Sequence, residues 1–337
     1  MGKEAQVAVT SAWALSLRAN GRRPCNQRLA WADPPSAFFT EPNPMISTEA
    51  RDGVFCWDCR SLEHTLHISD VHFDSKHCDR EMLKRHLDEI KSCDGSVFIY
   101  GDLYDVMGCW QDPRSKGQDV RPEYLRGGEY LNLIVEDAVE FFRPYAGQIK
   151  FISEGNHESE IRRRRDVDIL RWTVQALQDI GSPVKRGGYS GWNLFRFSRS
   201  NDPEIARDKQ YMRHIITHFH HGYGGNAKRS KGMLDSQLAT FQYPDADIVF
   251  RGHTHQKWHD PSNVKNRMDT RTKRMYTATT HYIATGSYKD GIGDGQSGWE
   301  VQKGFMPTRL GGWFVDFQRY GHTSKGIKVS ITVREAT

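Results

Sequence analysis

An α/β fold is predicted for this chain of 337 residues, and three observations lead to the prediction. Short apolar runs of strand length alternate along the chain with amphipathic stretches of helical period. Carboxylate and imidazole side chains follow several of these runs directly, as they do at the carboxyl ends of strands in open α/β sheets. The length is sufficient to bury the core of one large domain.

Three segments have apolar residues at the spacing of a helix. The first covers residues 79–91, where Leu83, Leu87 and Ile90 share one face. The other two cover residues 123–142 and 166–180, with the same spacing of apolar side chains. We therefore predict three helices between the strands.

The apolar runs predict strands on both sides of His255. Those before it cover residues 64–69, 97–100, 149–152, 215–216 and 246–250, and residues 188–197 are predicted to form a hairpin. The chain after it is rich in glycine, and its apolar runs cover residues 276–286, 313–317 and 327–333. These later strands are predicted to form a second sheet that packs on the first.

The first sixty residues differ from the rest because they combine many prolines with little periodicity. We predict a partly irregular N-terminal extension over residues 1–60 and the main domain over residues 61–337. A short helix near residues 5–17 is too short for a membrane span. Most basic residues follow this apolar stretch, unlike in a signal peptide, so we expect no membrane segment and a cytoplasmic location. Alternatively, residues 18–28 form a small basic module that docks on nucleic acid or on a partner subunit.

The cysteine spacing and the charge distribution give only weak indications of a metal site and of an anionic substrate. Cys56 and Cys59 have metal-type spacing, but no second pair accompanies them among the six cysteines, so ordinary reduced thiols are expected. The net charge of +5 is mild, but basic residues cluster at 162–165 and 228–231. If these clusters border a cleft they would attract a polyanion or a phosphate-rich substrate; the alternative is a solvated helix face.

Five short polar motifs follow one another along the chain. They are Asp70-Val71-His72, Gly101–Asp105 (GDLYD), Gly155–Glu158 (GNHE), a histidine cluster that ends at Gly222 (HFHHG), and Gly252–His255 (GHTH). Each follows an apolar run, so the motifs are expected at strand ends. A carboxylate is well suited to bridge two divalent cations, and imidazole, carboxylate and amide groups suit borderline first-row metals. Phosphate esters react very slowly with water, and a pair of cations assists their hydrolysis by activating the water and binding the attacking and leaving oxygens.

This set of motifs resembles the signature of the calcineurin-like metallophosphoesterase superfamily: D-x-H, G-D-x-x-D, G-N-H-[DE], an isolated His and G-H-x-H. All five motifs are present between residues 70 and 255. The resemblance implies a β-sandwich of two mixed sheets flanked by helices (αββα). The matching body of the chain would run from about residue 60 to the end.

The resemblance also implies a role for each motif residue. Asp102 would bridge two cations, one held by Asp70, His72 and His255, the other by Asn156, His253 and one histidine of the cluster. His157 would act as general acid or stabilise charge on the phosphoryl oxygens. Asp105 and Glu158 would orient the ligand histidines through hydrogen bonds.

The histidine cluster offers three side chains for one ligand position. The family most often places the ligand where the strand breaks into a glycine-containing loop, which favours His221, then His220, then His218. Adjacent residues of a strand point to opposite faces, so His220 and His221 are not equivalent candidates unless a turn separates them.

Two cationic residues are candidates for contact with a substrate phosphate. Arg162 follows the third motif closely, and Lys289 lies in the segment Gly286–Asp290 (GSYKD), which is predicted to be a loop near the site. This segment resembles segments in phage-encoded members of the superfamily, so the resemblance implies a viral origin.

The sequence thus predicts a metal-dependent phosphoesterase that hydrolyses phosphomonoesters or phosphodiesters. Two divalent cations are expected, with Mn, Fe, Zn or a mixture as the metals. One alternative is a DNA or RNA nuclease with the same mechanism. Another is a non-catalytic binding protein on the same fold, which would bind no transition metal.

Overall fold

The computed structural model describes residues 45–51, 53–106, 119–125, 129–197, 213–224, 233–270, 272–293, 295, 298–304, 307–323 and 326–337. The predicted helix near residues 5–17 and the basic segments 18–28 and 228–231 lie outside them. Residues 44–337 form one compact unit. Among the described residues, every helix is too short or too polar to cross a lipid bilayer.

One sheet has six strands. Four of them run parallel: β3 (Leu62–Ile68), β4 (Ser96–Tyr100), β5 (Ile149–Ser153) and β6 (Lys185–Arg186). Two antiparallel strands, β12 (Trp313–Thr323) and β13 (Gly326–Glu335), extend it beyond β3. The strand order is β13-β12-β3-β4-β5-β6.

The other sheet has seven strands and is also mixed. Its members are β1 (Ile46–Arg51), β2 (Val54–Cys59), β7 (Ser190–Phe197), β8 (Arg213–His220), β9 (Ile248–Arg251), β10 (Lys257–Asp269) and β11 (Arg274–Thr285). The order is β1-β2-β7-β8-β9-β11-β10. Strands β8, β9 and β11 run parallel, so the histidine cluster and the fifth motif leave the sheet at the same edge.

An aromatic core joins the two sheets. The ring of Phe98 on β4 lies 5.3 Å from Trp57 and 5.4 Å from Phe195, which belong to the opposite sheet. Tyr100 stacks on Phe219 at 5.5 Å. Because strand residues alternate between faces, the odd members Val97 and Ile99 point away and pack under the helices.

Helices cover both outer faces. The described helices are α1 (Arg80–Ser92), α2 (Tyr130–Phe142), α3 (Asn156–Arg165), α4 (Ile169–Asp179), α5 (Met233–Gln242) and α6 (Trp299–Lys303). Buried apolar residues of α1, α2 and α4 pack on the six-stranded sheet, and Ala239 of α5 packs on the other. This arrangement confirms the predicted αββα sandwich.

Side-chain caps determine where two predicted helices begin. The carboxylate of Asp79 accepts the Met82 N–H at 2.8 Å, so α1 begins at Arg80. Asp168 caps α4 in the same way through the Arg171 N–H at 3.0 Å. The helix predicted over residues 123–142 is wrong at its start: Pro122–Leu125 forms a separate 3₁₀ turn, and α2 begins at Tyr130.

Two predictions about the strands are wrong. Residues 188–197 do not form a hairpin, because Ser190–Phe197 is one continuous strand whose odd-numbered residues are buried and whose even-numbered residues are not. The strands after His255 do not form one sheet: β10 and β11 extend the seven-stranded sheet, and β12 and β13 the other. In addition, β1 and β2, within the segment assigned to the extension, pair in the seven-stranded sheet, and Trp57 is buried there.

Candidate metal centre

The five motifs meet where the strands of both sheets end. Asp70 follows β3, Asp102 follows β4, and Asn156 opens α3 after β5. The loops are joined through their backbones, since Asp70 N–H donates to Gly101 O at 3.0 Å and His72 N–H to Asp102 O at 3.1 Å. His253 N–H donates to the carboxylate of Asp70 at 2.9 Å, which ties the loop after β9 to the same point.

The backbone at these loops adopts a conformation that side chains disfavour. Among the described residues, nine non-glycine residues have positive φ, and five of them are motif residues with φ between 49° and 69°: Asp70, His72, Asp102, His253 and His255. Left-handed residues of this kind cost energy and cluster at functional sites. Here the turn aims successive polar side chains into one pocket.

Two glycines of the motifs allow the loops to approach closely. A Cβ atom at Gly155 would collide with the carboxylate of Asp102, and one at Gly252 would lie 2.7 Å from Asp70 Oδ2. Neither position has room for a side chain, which explains the glycines of GNHE and GHTH.

One group of donors consists of Asp70, His72 and His255, whose ligand atoms all lie within 4.8 Å of one another. His72 Nε2 is 3.1 Å from His255 Nε2, and the latter atom is 3.5 Å from Asp70 Oδ1. His72 Nδ1 lies 2.9 Å from Asp105 Oδ1. A carboxylate beside Nδ1 favours the tautomer of His72 that carries its proton on Nδ1. The lone pair on Nε2 then faces Asp70 and His255.

A second group consists of Asp102, His221 and His253, again within 4.8 Å. The amide oxygen of Asn156 lies 3.0 Å from His221 Nε2 and 2.7 Å from His253 Nδ1. His221 Nδ1 donates to Tyr100 O and His253 Nε2 to Gly224 O, both at 2.9 Å. With one nitrogen of each ring hydrogen-bonded to a carbonyl group, the other nitrogen faces the donors.

Asp102 and His157 lie where the two groups adjoin, since His72, Asp102 and His157 also approach within 4.8 Å. The Asp102 carboxylate accepts the His157 backbone N–H at 2.9 Å. The ring of His157 donates Nδ1–H to Asp105 O at 2.5 Å, and its Nε2 lies 3.7 Å from Asp102 Oδ2. The side chain is 11 % exposed, so it reaches the rim of the pocket.

The three histidines of the cluster lie in different environments. His221 Nε2 is 3.1 Å from Asp102 Oδ2, within the second group. His220, the last residue of β8, instead accepts the Gly222 N–H and packs against Tyr189 and Tyr223. His218 stacks on Tyr243 and contacts Ser190. The end of the strand at His220 separates His221 from its neighbours.

Asp105, Lys289 and Glu158 surround the donors without joining them. Lys289 Nζ donates to both oxygens of Asp105, at 2.9 and 3.0 Å, and both side chains are buried. Lys289 was expected to contact substrate, but its ammonium group is paired with the carboxylate that holds His72. Among the residues that the structure describes, Glu158 has no hydrogen bond or ion pair with a ligand histidine; it accepts the backbone N–H groups of Asp102, Tyr104 and Gly155.

Arg162 lies farther from the donors than its position in the sequence suggests. It occupies the last turn of α3, about 9 Å along the helix from Asn156. Its guanidinium group pairs with Glu154 at 2.9 Å. The cations of this turn complement the negative end of the helix dipole.

Asp74 is a residue that the sequence analysis missed. It is fully buried, and its carboxylate accepts the N–H groups of Asp105 (2.5 Å) and Val106 (3.0 Å) and the Tyr130 hydroxyl. It therefore shapes the loop that carries the second motif. Its signal in the sequence is an acidic side chain two residues after His72.

The electrostatics of the site are those of buried carboxylates that face neutral imidazoles at His72 and His255 and a cationic one at His221. Burial and the nearby Asp102 raise the pKa of Asp70 to about 7. Burial lowers the pKa of His72 to about 4 and that of His255 well below its usual value. At His221 burial is outweighed by Asp102 and Asp70, which raise the pKa of the ring to about 10.

The donor set fits divalent cations. Among the described residues, neither Asp70 nor Asp102 has a lysine or arginine within 4.0 Å, although both are buried. Both carboxylates share the His221 ring as a cationic neighbour, and a buried excess of negative charge is strongly unfavourable. The Nε2 atoms of His72 and His255 lie 3.1 Å apart in rings whose pKa values are depressed by burial, so two neutral imidazoles converge beside Asp70. A cation would offset the negative charge and accept both rings as ligands.

Comparison with known proteins identifies one family. The model of the calcineurin-like phosphoesterase family matches residues 64–257, more than half of the chain. No curated protein matches it.

Among solved structures, the chain is similar at 10 % identity to a conserved uncharacterized protein, a predicted phosphoesterase, from Streptococcus pneumoniae TIGR4 (TM-score 0.27, covering 81 % of this chain and 100 % of that one). It is similar to the calcineurin-like phosphoesterase YfkN from Bacillus subtilis at 10 % identity (TM-score 0.31, covering 82 % of this chain and 92 % of that one). It is also similar to Vps29 from Chaetomium thermophilum at 10 % identity, with a TM-score of 0.30, covering 80 % of this chain and 96 % of that one.

Proposed function

The chain belongs to the calcineurin-like phosphoesterase family, and from this premise we propose that it hydrolyses phosphate esters with two divalent cations. The observation that carries the proposal is the pair of adjoining three-residue donor groups, one with Asp70, His72 and His255 and the other with Asp102, His221 and His253. A single cation would need only one of them.

The proposal assigns one cation to Asp70, His72 and His255 and the other to Asn156, His221 and His253, with Asp102 between them. Imidazole nitrogens and carboxylate or amide oxygens are the ligands of Mn, Fe and Zn rather than of softer metals. When bound, such a pair lowers the pKa of water and clamps the attacking and leaving oxygens of the ester.

The remaining residues would act on protons and orientation. His157 Nε2 points into the pocket while Nδ1–H is held by Asp105 O. With a second proton on Nε2, this ring would donate a hydrogen bond to a phosphoryl oxygen or that proton to the leaving oxygen. The Tyr100 and Gly224 carbonyls hold His221 and His253 in the required tautomers, and Glu158 holds the loops that carry Asp102 and Asn156.

The experiment combines metal analysis with a substrate panel. The full chain is stripped with a chelator, reloaded separately with Mn, Fe or Zn, and its metal content is measured. Each form is then assayed with p-nitrophenyl phosphate, bis-p-nitrophenyl phosphate and labelled single- and double-stranded DNA. We expect two ions per chain and hydrolysis of at least one ester only in loaded forms.

Two results would contradict the proposal. A chain that binds no transition metal would favour a non-catalytic binding protein on this fold. Hydrolysis that persists after complete metal removal would exclude the assigned chemistry. Cleavage of DNA together with the diester would identify the nuclease variant, which uses the same residues.

A further inference from the structure

A second cleft opens beside the metal centre. Gly252 and Thr254, the residues on either side of His253, form part of its wall. The cleft is shallow and open to solvent, and the roughly 330 Å³ of space between its walls includes part of that solvent. A substrate held at the donor groups would therefore have a neighbouring part in this cleft.

Arg251 supplies the positive charge of the cleft. Its residue surface is only 7 % exposed, and its Nη1 atom is buried without a hydrogen-bond partner. Nη2 lies 3.4 Å from the Tyr223 hydroxyl, and the guanidinium carbon lies 4.8 Å above the Tyr223 ring. Among the described residues, no carboxylate lies within 4.0 Å of it to form an ion pair, which is costly for a buried cation.

The other walls of the cleft are aromatic and polar. Trp258 and Tyr282 stack on each other at 5.0 Å with an interplanar angle of 15°. Tyr223 is 57 % exposed, so one part of its ring remains accessible. Asp235 also lines the cleft and can accept hydrogen bonds from a sugar hydroxyl or a base amino group.

We propose that this cleft binds a second phosphate group of a nucleotide substrate, with Arg251 as its ligand and the aromatic walls against the nucleoside. The inference rests on the proposed function for the scissile ester and adds the class of substrate. An arginine fork matches the geometry of a phosphate, and aromatic side chains bind bases by stacking. A simple aryl phosphate would use neither feature.

The test uses two substrates that differ only in the second phosphate. One is thymidine 5′-(p-nitrophenyl phosphate), and the other carries an additional 3′-phosphate. In both, water attacks the 5′-phosphorus, the bond to the aryl oxygen breaks and p-nitrophenolate leaves. The ratio of their kcat/KM values isolates the contribution of the 3′-phosphate, because any general loss of activity cancels.

We expect the wild-type ratio to favour the 3′-phosphorylated substrate by about tenfold to a hundredfold, the effect of hydrogen bonds to a charged group. Arg251→Met should bring the ratio close to one. Arg196→Met is the matched control: Arg196 is paired with Asp58 at 2.6 Å and does not line the cleft, so this variant should keep the wild-type ratio. An unchanged ratio in Arg251→Met would overturn the proposal.

Two further variants cover a failure of Arg251→Met to fold. Arg251→Lys keeps the charge but loses the fork, so the ratio should fall by part of the full effect. Tyr223→Ala removes an exposed ring, and we expect the affinity for the nucleotide to fall about fivefold. Wild-type behaviour of both variants would likewise refute the assignment.

A binding measurement separates this inference from the proposed function. Thymidine 3′,5′-bisphosphate is titrated calorimetrically into metal-stripped wild type and Arg251→Met. Binding that depends on Arg251, in a chain that stays inactive after reloading with Mn, Fe or Zn, would sustain the cleft and reject the phosphoesterase. Metal-dependent hydrolysis of bis-p-nitrophenyl phosphate, with no effect of Arg251→Met on nucleotide binding or on the kcat/KM ratio, would support the phosphoesterase and reject the assignment of the cleft.

Discussion

Replacing Lys289 by methionine tests whether its ammonium group stabilises the metal centre or binds substrate. The group donates to both oxygens of Asp105, and Asp105 lies 2.9 Å from His72 Nδ1. Methionine keeps much of the length and apolar contact but leaves a buried carboxylate without its cationic partner.

The magnitude follows from the burial of the pair, whose side chains are 7 % and 1 % exposed. Removing one partner of a buried ion pair costs about 3–5 kcal/mol. For a domain of this size each kcal/mol shifts the melting temperature by about 2 °C, so Lys289→Met should lower it by about 6–10 °C. Thermal unfolding followed by circular dichroism, with a chelator present, measures this without a contribution from bound cations.

A double-mutant cycle identifies the partner. Lys289→Met combined with Asp105→Asn removes both charges of the pair, so the double variant should be more stable than the sum of the single losses predicts. Lys84→Met is the control, because the Lys84–Asp88 pair has a similar distance of 2.7 Å but both side chains are about half exposed. Exposed pairs contribute little, so its melting temperature should hardly change. An unchanged melting temperature for Lys289→Met, with a raised KM, would instead support substrate contact.

Three further predictions concern the centre and the core. Asp102→Asn should lower turnover by more than about a hundredfold and weaken cation binding at both positions, as measured by kinetics and metal analysis. Replacing a residue that only hydrogen-bonds to a metal ligand already lowers activity or metal affinity about 10–100-fold, and a bridging ligand should matter more. Asp94→Asn, at an exposed residue with a similar φ of 51°, is its control, and full turnover in Asp102→Asn would exclude the bridging role. His157→Ala should lower kcat about a hundredfold or more with both cations retained; loss of the cations would make it a ligand instead. His67 is buried, and burial lowers its pKa to about 3. The unfolded chain, with a pKa near 6.5, therefore takes up the proton first, and stability is lost as pH falls from about 6.5 toward 3. At pH 5 the loss is about 2 kcal/mol, and His67→Gln should remove this part of the pH dependence of urea unfolding.

The sequence predicted the layers of the fold better than their connections. The alternation of apolar runs and helical stretches predicted α/β, and α1 and α4 lie where periodicity placed them. It did not predict which strands share a sheet, because β11 and β12 both have apolar strand patterns but pair with different neighbours. Strand pairing depends on contacts that are distant in sequence.

The ambiguity among the histidines shows the same limit at the site. Local sequence left His218, His220 and His221 open, since all three have the same side chain. Only the end of β8 at His220 and the position of the Tyr100 carbonyl direct His221 toward Asp102. Glu158 illustrates a related point, because its partners are three backbone N–H groups that no motif specifies.

By itself the sequence determined which donors are available and that they follow strands, because side-chain chemistry and periodicity are local properties. The tertiary structure alone decided which donors come within 4.8 Å of one another, that Lys289 pairs with Asp105, and that Arg251 is buried beside the centre with an unpartnered Nη1. Burial and distance depend on how the two sheets pack, and for the same residue types they decide whether a charge is solvated, paired or open to a ligand.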